Sequence, residues 1–455
     1  MNGWLERRLA TRRRLVTSGG KGGVALLGAA ALAACGLSGQ GSQPAASATP
    51  VTIDVWHPWD GTREPLFNTM VKNFQKVYPH VTVQPQVVLA GVHAEKFIAN
   101  SAAGTPPAVA NPGNNELPDY VVRSLLEPLD DAMKREKVLA SDYYDGDIRA
   151  LTFLNKIYAL PAFAGTGRRM LFRNKRHFSE AGLDPTKPPK TWDELEQLEK
   201  KLTTSAGGEL KRPAFWGESY KRWLIAAGGK WVSDDGKKVL FHQGPAVDVL
   251  EWAKRRSDSI YGGYAARQAF VKTRSAATVR YGFYTQELAM TIEGPWVFYE
   301  ADDSAKGLDY SVGLAPVQKA GLPPGMVEAE AGYGVAKGIK PADAAFKLIK
   351  YISWDDRGGG WFMGQQKRPS PVKRHNDLPD LKKLNPEWDV AIAAMKADVW
   401  ATNSGADAKV NALANTMFDD VMNGKKAAQA GLQEAATASQ TEIDAFWARV
   451  PSTLK

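Results

Sequence analysis

At Gly294-Pro295-Trp296 an apolar run, Leu288 to Ile292, is broken and the largest aromatic side chain follows at once. The run reads as a short buried strand, and small polar residues are what an ordinary loop would carry at its end. An indole held there suits noncovalent chemistry, its flat face stacking on an apolar face of a ligand. A core tryptophan covering the end of a sheet is the competing reading. Trp56 and Trp59 stand in the same way around His57-Pro58, with Asp60 and Gly61 next, and the chain holds 14 Trp in all, enough for several such positions.

Covalent chemistry finds little support. There is no HExxH, GxSxG, complete P-loop or EF-hand loop. SGGKGG at Ser18 lacks the Ser or Thr that a phosphate loop needs after its lysine. His57, His80, His93, His177, His242 and His375 show no metal-ligand spacing and read as surface or cap residues. The single cysteine rules out disulfides within the chain and a cysteine metal site. No cofactor is implied. A glycosidase needs only two carboxylates, so with 49 acidic residues a secreted carbohydrate-active enzyme stays open as the runner-up.

The elements that must position these residues alternate. VTIDVWH from Val51 has the period of a strand, Leu66, Met70, Val71, Phe74 and Val77 have the spacing of a helix, and VTVQPQVV is a strand again. This is a βαβ unit, hence a parallel sheet with helices on its faces. Further strands are expected near Ala108, at KIYALPAF, RMLFRN, YSVGLAPV and GYGVAKGI, and helices at PDYVVRSLL, TWDELEQLEKKLT and ADAAFKLIKYISW. Thr191 with Glu194 three residues on is a capping box. The last hundred residues read as helical. No internal repeat is visible, and 455 residues suggest two or three domains.

Residues 1–35 read as a signal peptide. Basic residues precede GGVALLGAAALAA, an apolar run too short to span a bilayer, and Leu32-Ala33-Ala34-Cys35 resembles a lipobox whose cysteine is acylated at the new N-terminus. TRRRLV from Thr11 resembles a twin-arginine export signal. This segment carries +5 of the net charge of +9, so the body is nearly balanced and gives no nucleic-acid footprint. Residues 36–50, rich in Gly, Ser, Ala and Pro, form a flexible tether. The expected place is the outer face of the cytoplasmic membrane, held there by lipid alone.

KIYALPAF followed by MLFRNKRHFSEAGLDPTKPPKTWDEL, then MTIEGPW, YSVGLAPV and AGYGVAKGIKPADAAFKLIKYISW, resembles in order and spacing the solute-binding proteins of carbohydrate ABC transporters, the maltose-binding-protein family. The resemblance implies a two-lobed α/β fold of the periplasmic-binding-protein type. Residues 51–160 plus 327–357 would form one lobe and 161–326 plus 358–455 the other, with the ligand in the cleft between them. It implies a monomer that captures a sugar or oligosaccharide and hands it to the permease subunits. Ligand contacts are expected from Trp59, Asp60, Asn114, Asn115, Glu116, Glu218, Tyr220, Trp296 and Tyr333.

Some family features are missing. Pro107-Ala108-Val109 stands where many members have Pro-Asp-Val, and Asn411 falls where the maltose binder has a stacking Trp. Arg168 and Arg169 follow the crossover near a family carboxylate and read as facing water. If either faces the cleft, an anionic ligand such as a glycerophosphodiester or a uronate becomes the alternative.

Overall fold

The computed structural model describes residues 49–454 apart from 163–167, 208, 217–218, 273–281, 306, 325–329, 379, 398 and 400–401. The leader, Cys35, nearly all of the tether and Glu218 lie outside the described residues. In chain order the strands that matter here are β1 (Val51–His57), β2 (Val81–Val87), β3 (Val109–Ala110), β4 (Leu160–Pro161), β5 (Met170–Asn174), β6 (Phe215–Trp216), β7 (Met290–Glu293), β8 (Tyr310–Leu314) and β9 (Gly332–Val335). The helices that matter here are α1 (Arg63–Val77), α2 (Asp145–Ala150), α3 (Trp192–Leu202), α4 (Ala246–Tyr261), α5 (Tyr264–Lys272), α6 (Val297–Ser304), α7 (Ala342–Ser353), α8 (Asp407–Met422) and α9 (Ala428–Arg449).

Two larger sheets result among the described residues, each with its own lobe, beside two small hairpin sheets. In the first, of order β2-β1-β3-β9-β4, β1 runs parallel to β2 and β3, as the βαβ pattern requires. β9 enters antiparallel between β3 and β4, although more than 160 residues separate it from either. Its glycines make this passage possible: a Cβ on Gly332 would lie 2.3 Å from the Leu160 carbonyl oxygen, and one on Gly334 2.6 Å from that of Tyr158. In the second sheet, of order β6-β7-β5-β8, β6 and β7 are parallel and β5 is antiparallel to both neighbours. The chain therefore crosses from lobe to lobe between β4 and β5 and returns between β8 and β9.

Burial follows the alternation within each strand. Ile53 and Val55 face a core with Phe67, Met70, Val71 and Phe74 of α1 and Phe346, Leu348 and Ile349 of α7. In the second lobe Leu171, Phe215, Met290 and Ile292 face α4, α8 and α9, while Met170, Phe172 and Val312 pack the opposite face against Val297 and Phe298 of α6. Thr191 caps α3 by accepting from the Glu194 N–H at 3.4 Å; the Glu194 carboxylate reaches back to the Lys190 N–H at 2.6 Å, one residue before the box predicts.

The expected division puts everything after residue 357 in the second lobe. The packing differs: Phe362, Met363, Val372 and Met395 join the first core. The helix Trp388–Met395 touches both lobes, Ala391 and Ala394 packing in the second and Met395 in the first, and α8 and α9 then complete the second lobe.

The histidines also need correcting. His57, His93, His177 and His375 are buried. His57 stacks on Phe67 at 4.0 Å, and His93 Nε2 accepts from the Asn111 N–H at 3.1 Å. Burial holds His57, His93 and His177 down to a pKa of about 4, so all three are neutral near pH 7. No group of three or more metal-ligating side chains occurs among the described residues.

Candidate functional site

The strand end at Trp296 lies where both lobes meet. β7 ends at Glu293, and Trp296 stands at the N-cap of α6, half-buried. Gly294 makes room for it: a Cβ there would sit 2.0 Å from Trp296 Cζ3 and 2.5 Å from Cε3 and Cη2. The indole thus lies flat against its own backbone and packs against the Phe172–Phe298 cluster. The Arg169 guanidinium stands 5.2 Å from the ring centroid and 3.5 Å from the Glu293 carboxylate.

From Trp296, α6 carries a polar face across to the first lobe. Glu300 accepts from Arg63 Nη1 at 3.2 Å and from the Tyr284 hydroxyl at 2.9 Å. Asp303 accepts from the Thr62 hydroxyl at 3.1 Å, which in turn accepts from Tyr299 at 3.0 Å, and Asp302 pairs with Lys367. Thr62 and Arg63 open α1, and the Arg63 guanidinium lies 5.7 Å from the Trp59 ring. Four residues of one short helix therefore bind the opposite lobe.

Behind this seam, beside the two crossings, lies a buried ionic cluster. Arg168, two residues before β5, pairs with Asp147 of α2, and Glu330, two residues before β9, faces Asp147. Burial pushes both carboxyls up, Glu330 well above the usual range with the Asp147 charge adding to the rise, while Arg168 opposes it in both. Arg368 is buried in the same region, where burial and then Arg63 bring it down to about 10, so it stays charged. A cavity of about 460 Å³ is lined by Arg168 together with Tyr144, Asn376, Ile392 and Met395. None of the residues expected to touch a ligand lines it.

The family model for bacterial extracellular solute-binding proteins matches residues 60–356, well over half of the chain. The chain belongs to the bacterial extracellular solute-binding proteins. A putative binding protein of Brucella abortus is 26% identical over 306 residues, which span 64% of this chain and 69% of that protein. The sn-glycerol-3-phosphate-binding periplasmic protein UgpB of Pectobacterium atrosepticum is 23% identical over 441 residues, 90% of this chain and 93% of its own. Among solved structures, CpMnBP1 with mannotriose bound matches with a TM-score of 0.72 at 25% identity, over 86% of this chain and all of that one. The maltose/maltodextrin-binding domain MalE of Bdellovibrio bacteriovorus bound to maltotriose matches at 0.70 and 19% identity, over 87% and 100%, a likeness of fold alone. The two-lobed fold read from the sequence is the fold found.

The expected ligand residues of this solute-binding protein fall into three groups. Trp296, Asp60, Asn115 and Glu116 are at least partly exposed; burial and then the nearby Asp407 of the opposite lobe push the Glu116 carboxyl up. Trp59, Tyr333 and Asn114 stand behind the seam. Trp59 is 4% exposed and donates from Nε1 to the fully buried Tyr333 hydroxyl at 3.1 Å, its ring edge-on to Phe362. Asn114 Oδ1 accepts from the Glu330 N–H at 3.0 Å and pins the returning crossover.

Tyr220 belongs elsewhere. Its ring packs with Trp231, Phe241 and Phe418 in the second core and its hydroxyl donates to the Phe241 carbonyl, which corrects its expected role as a ring contact. Arg168 does not face water either, being 1% exposed. Sequence reasoning missed Arg63, Tyr284, Glu300, Glu330 and Arg368. Only Glu300 carried a usable signal, since at four residues from Trp296 it shares that residue's helix face.

Proposed function

We propose that this solute-binding protein captures a carbohydrate outside the cytoplasm, holds it between its lobes against Trp296 and delivers it to the permease of an ABC importer. The observation that carries the reading is the half-exposed indole fixed by Gly294 at the carboxyl end of β7, with Arg169 and Glu293 at its rim. A pyranose offers an apolar ring face and a rim of hydroxyls, which an indole flanked by ionic hydrogen-bonding groups suits. Ligands in open α/β sheets lie at the carboxyl ends of strands. Asp60, Asn115 and Glu116, with Glu218, are proposed for the hydroxyl rim, and Trp59, Tyr333 and Asn114 for the wall that supports it. The relatives named above are described as binding proteins, which favours capture over turnover.

A second reading takes an anionic sugar-like ligand, a glycerophosphodiester or a uronate. The arginines at the seam and the glycerol-3-phosphate-binding relative, which matches nearly the whole chain, favour it. Against it, Arg63 is paired with Glu300 and Arg169 with Glu293, so both arginines already have carboxylate partners before any ligand arrives. A thermal-shift panel of neutral oligosaccharides beside glycerol 3-phosphate and uronates separates the two. A ligand at a hundred times its dissociation constant raises stability by about 2.7 kcal/mol, and all compounds should be recovered chemically unchanged. Turnover of a sugar without stoichiometric binding would establish the enzyme reading instead.

Anchoring by diacylated Cys35 is part of the proposal, because two acyl chains hold stably where one does not. Cys35→Ala should move the protein from the detergent phase to the aqueous phase, and unchanged partitioning would refute the anchor.

A further inference from the structure

We propose that Trp216 is a second stacking position beside Trp296, so that the site takes at least two linked sugar rings. This rests on the carbohydrate reading and narrows it.

Phe215 and Trp216 make up β6. Phe215 is fully buried under the Arg256 guanidinium at 5.4 Å, so strand alternation turns Trp216 to the other face of the sheet. The parallel register pairs Trp216 with Thr291, which places it at the carboxyl end of its strand, about 7 Å of strand short of Glu293. Two more residues of β7's continuation, Gly294 and Pro295, then lead to Trp296. The two indoles thus end neighbouring strands on the same edge of the sheet.

Trp216 is half-buried, and what supports it is unusual. Arg267 of α5 is 1% exposed, and its guanidinium lies 4.9 Å from the Trp216 ring and 4.5 Å from the Tyr261 ring. Arg267, itself held against Tyr261, therefore braces one side of the indole while part of the Trp216 surface stays exposed. Trp296 likewise has a guanidinium beside its ring, that of Arg169 at 5.2 Å, which is paired with Glu293. A ring already immobilised loses little freedom when a ligand stacks on it. One pyranose can cover one indole; a pair of them at adjacent strand ends calls for a chain of at least two rings.

A purely structural Trp216 that merely covers Arg267 would lower stability when removed and treat ligands of all lengths alike. The test therefore measures length dependence. Full-length protein, Trp216→Ala and Trp216→Phe are titrated calorimetrically with mannose, mannobiose and mannotriose and with glucose, maltose and maltotriose, and their melting temperatures recorded. The wild type should bind the disaccharide of one series at least tenfold more tightly than the monosaccharide. In Trp216→Ala that preference should collapse toward unity, a loss on the order of tenfold, with monosaccharide affinity retained. Trp216→Phe, which keeps a ring over Arg267, should restore most of it. If no sugar binds the wild type, the carbohydrate reading falls and this inference with it. If sugars bind but the wild type shows no length preference, or Trp216→Ala weakens mono- and disaccharide equally, the second position alone is refuted.

Discussion

Replacing Gly294 by alanine adds one methyl group at the point where Trp296 rests. Gly294 does not adopt a left-handed backbone conformation, so alanine meets no backbone penalty. What refuses the methyl is the ring, 2.0 Å away at Cζ3, against an ordinary carbon contact of about 3.5 Å. The indole must retreat by roughly 1.5 Å or swing about its side-chain torsions. Overpacking inside a core costs about 1 to 3 kcal/mol. Because Trp296 is half-exposed and can move toward the cleft, the folding cost belongs at the low end of that range. Binding should suffer more: a displaced aromatic anchor forfeits roughly 2 kcal/mol, about a thirtyfold rise in Kd. The assay is a double-mutant cycle with Trp296→Ala, reading Kd by calorimetry and stability by denaturant titration. Since both changes act through one ring, Gly294→Ala on top of Trp296→Ala should cost no further affinity. Wild-type affinity in Gly294→Ala, or losses that simply add, would show that the ring is not the platform.

Two other perturbations probe the seam and the core. Glu300→Gln keeps the shape of the side chain but removes the charge that meets Arg63 and Tyr284. A partly buried charged contact is worth about 1 kcal/mol, so ligand dissociation in stopped-flow should speed up about fivefold. An unchanged dissociation rate would mean that α6 does not hold the lobes together. The histidines set an acid limit. His57, His93 and His177 titrate near 4 in the folded chain against about 6.5 when unfolded, so the unfolded state binds more protons between those values. Stability should be full above pH 6.5 and fall toward pH 4, each histidine contributing up to about 1.4 kcal/mol per pH unit. Asp147 and Glu330, with raised pKa values, work the other way: their protonated forms favour the fold at low pH and they lose that contribution as pH rises. Urea midpoints at pH 7 and pH 5 decide the balance, and equal midpoints would contradict the dominance of the histidines.

Much of this molecule can be read locally. Periods of two and of three to four residues locate the sheet and helix elements, and the glycine and proline before Trp296 mark the place where the cleft reaches the strand end. The inward position of His57 follows from the same alternation that buries Ile53 and Val55, and Tyr220, Trp223 and Leu224 have the helical spacing of a core stripe. Both were legible, and were outweighed by the habits of the residue types. The rest was not legible, for a physical reason. Phe362 and Val372 suit either lobe equally well, and nothing nearby in sequence says which core they enter. Arg168, Asp147 and Glu330 are separated by 21 to 183 residues, so their meeting depends on two chain crossings that no local pattern encodes.

That cluster has a consequence for how the lobes can swing. Arg168 and Glu330 stand at two of the points where the chain passes between lobes, and with Asp147 they set a guanidinium beside carboxyls that burial pushes toward the protonated form. Groups paired and buried at a pivot can move with it without meeting the solvent, so its motion draws little on the ionic atmosphere. The charge pairs at the far rim, Arg63 with Glu300 and Lys367 with Asp302, remain open to screening. Ionic strength should therefore act at the jaw and leave the axle alone: salt would shorten the time a captured ligand is held without changing the path along which the jaws close.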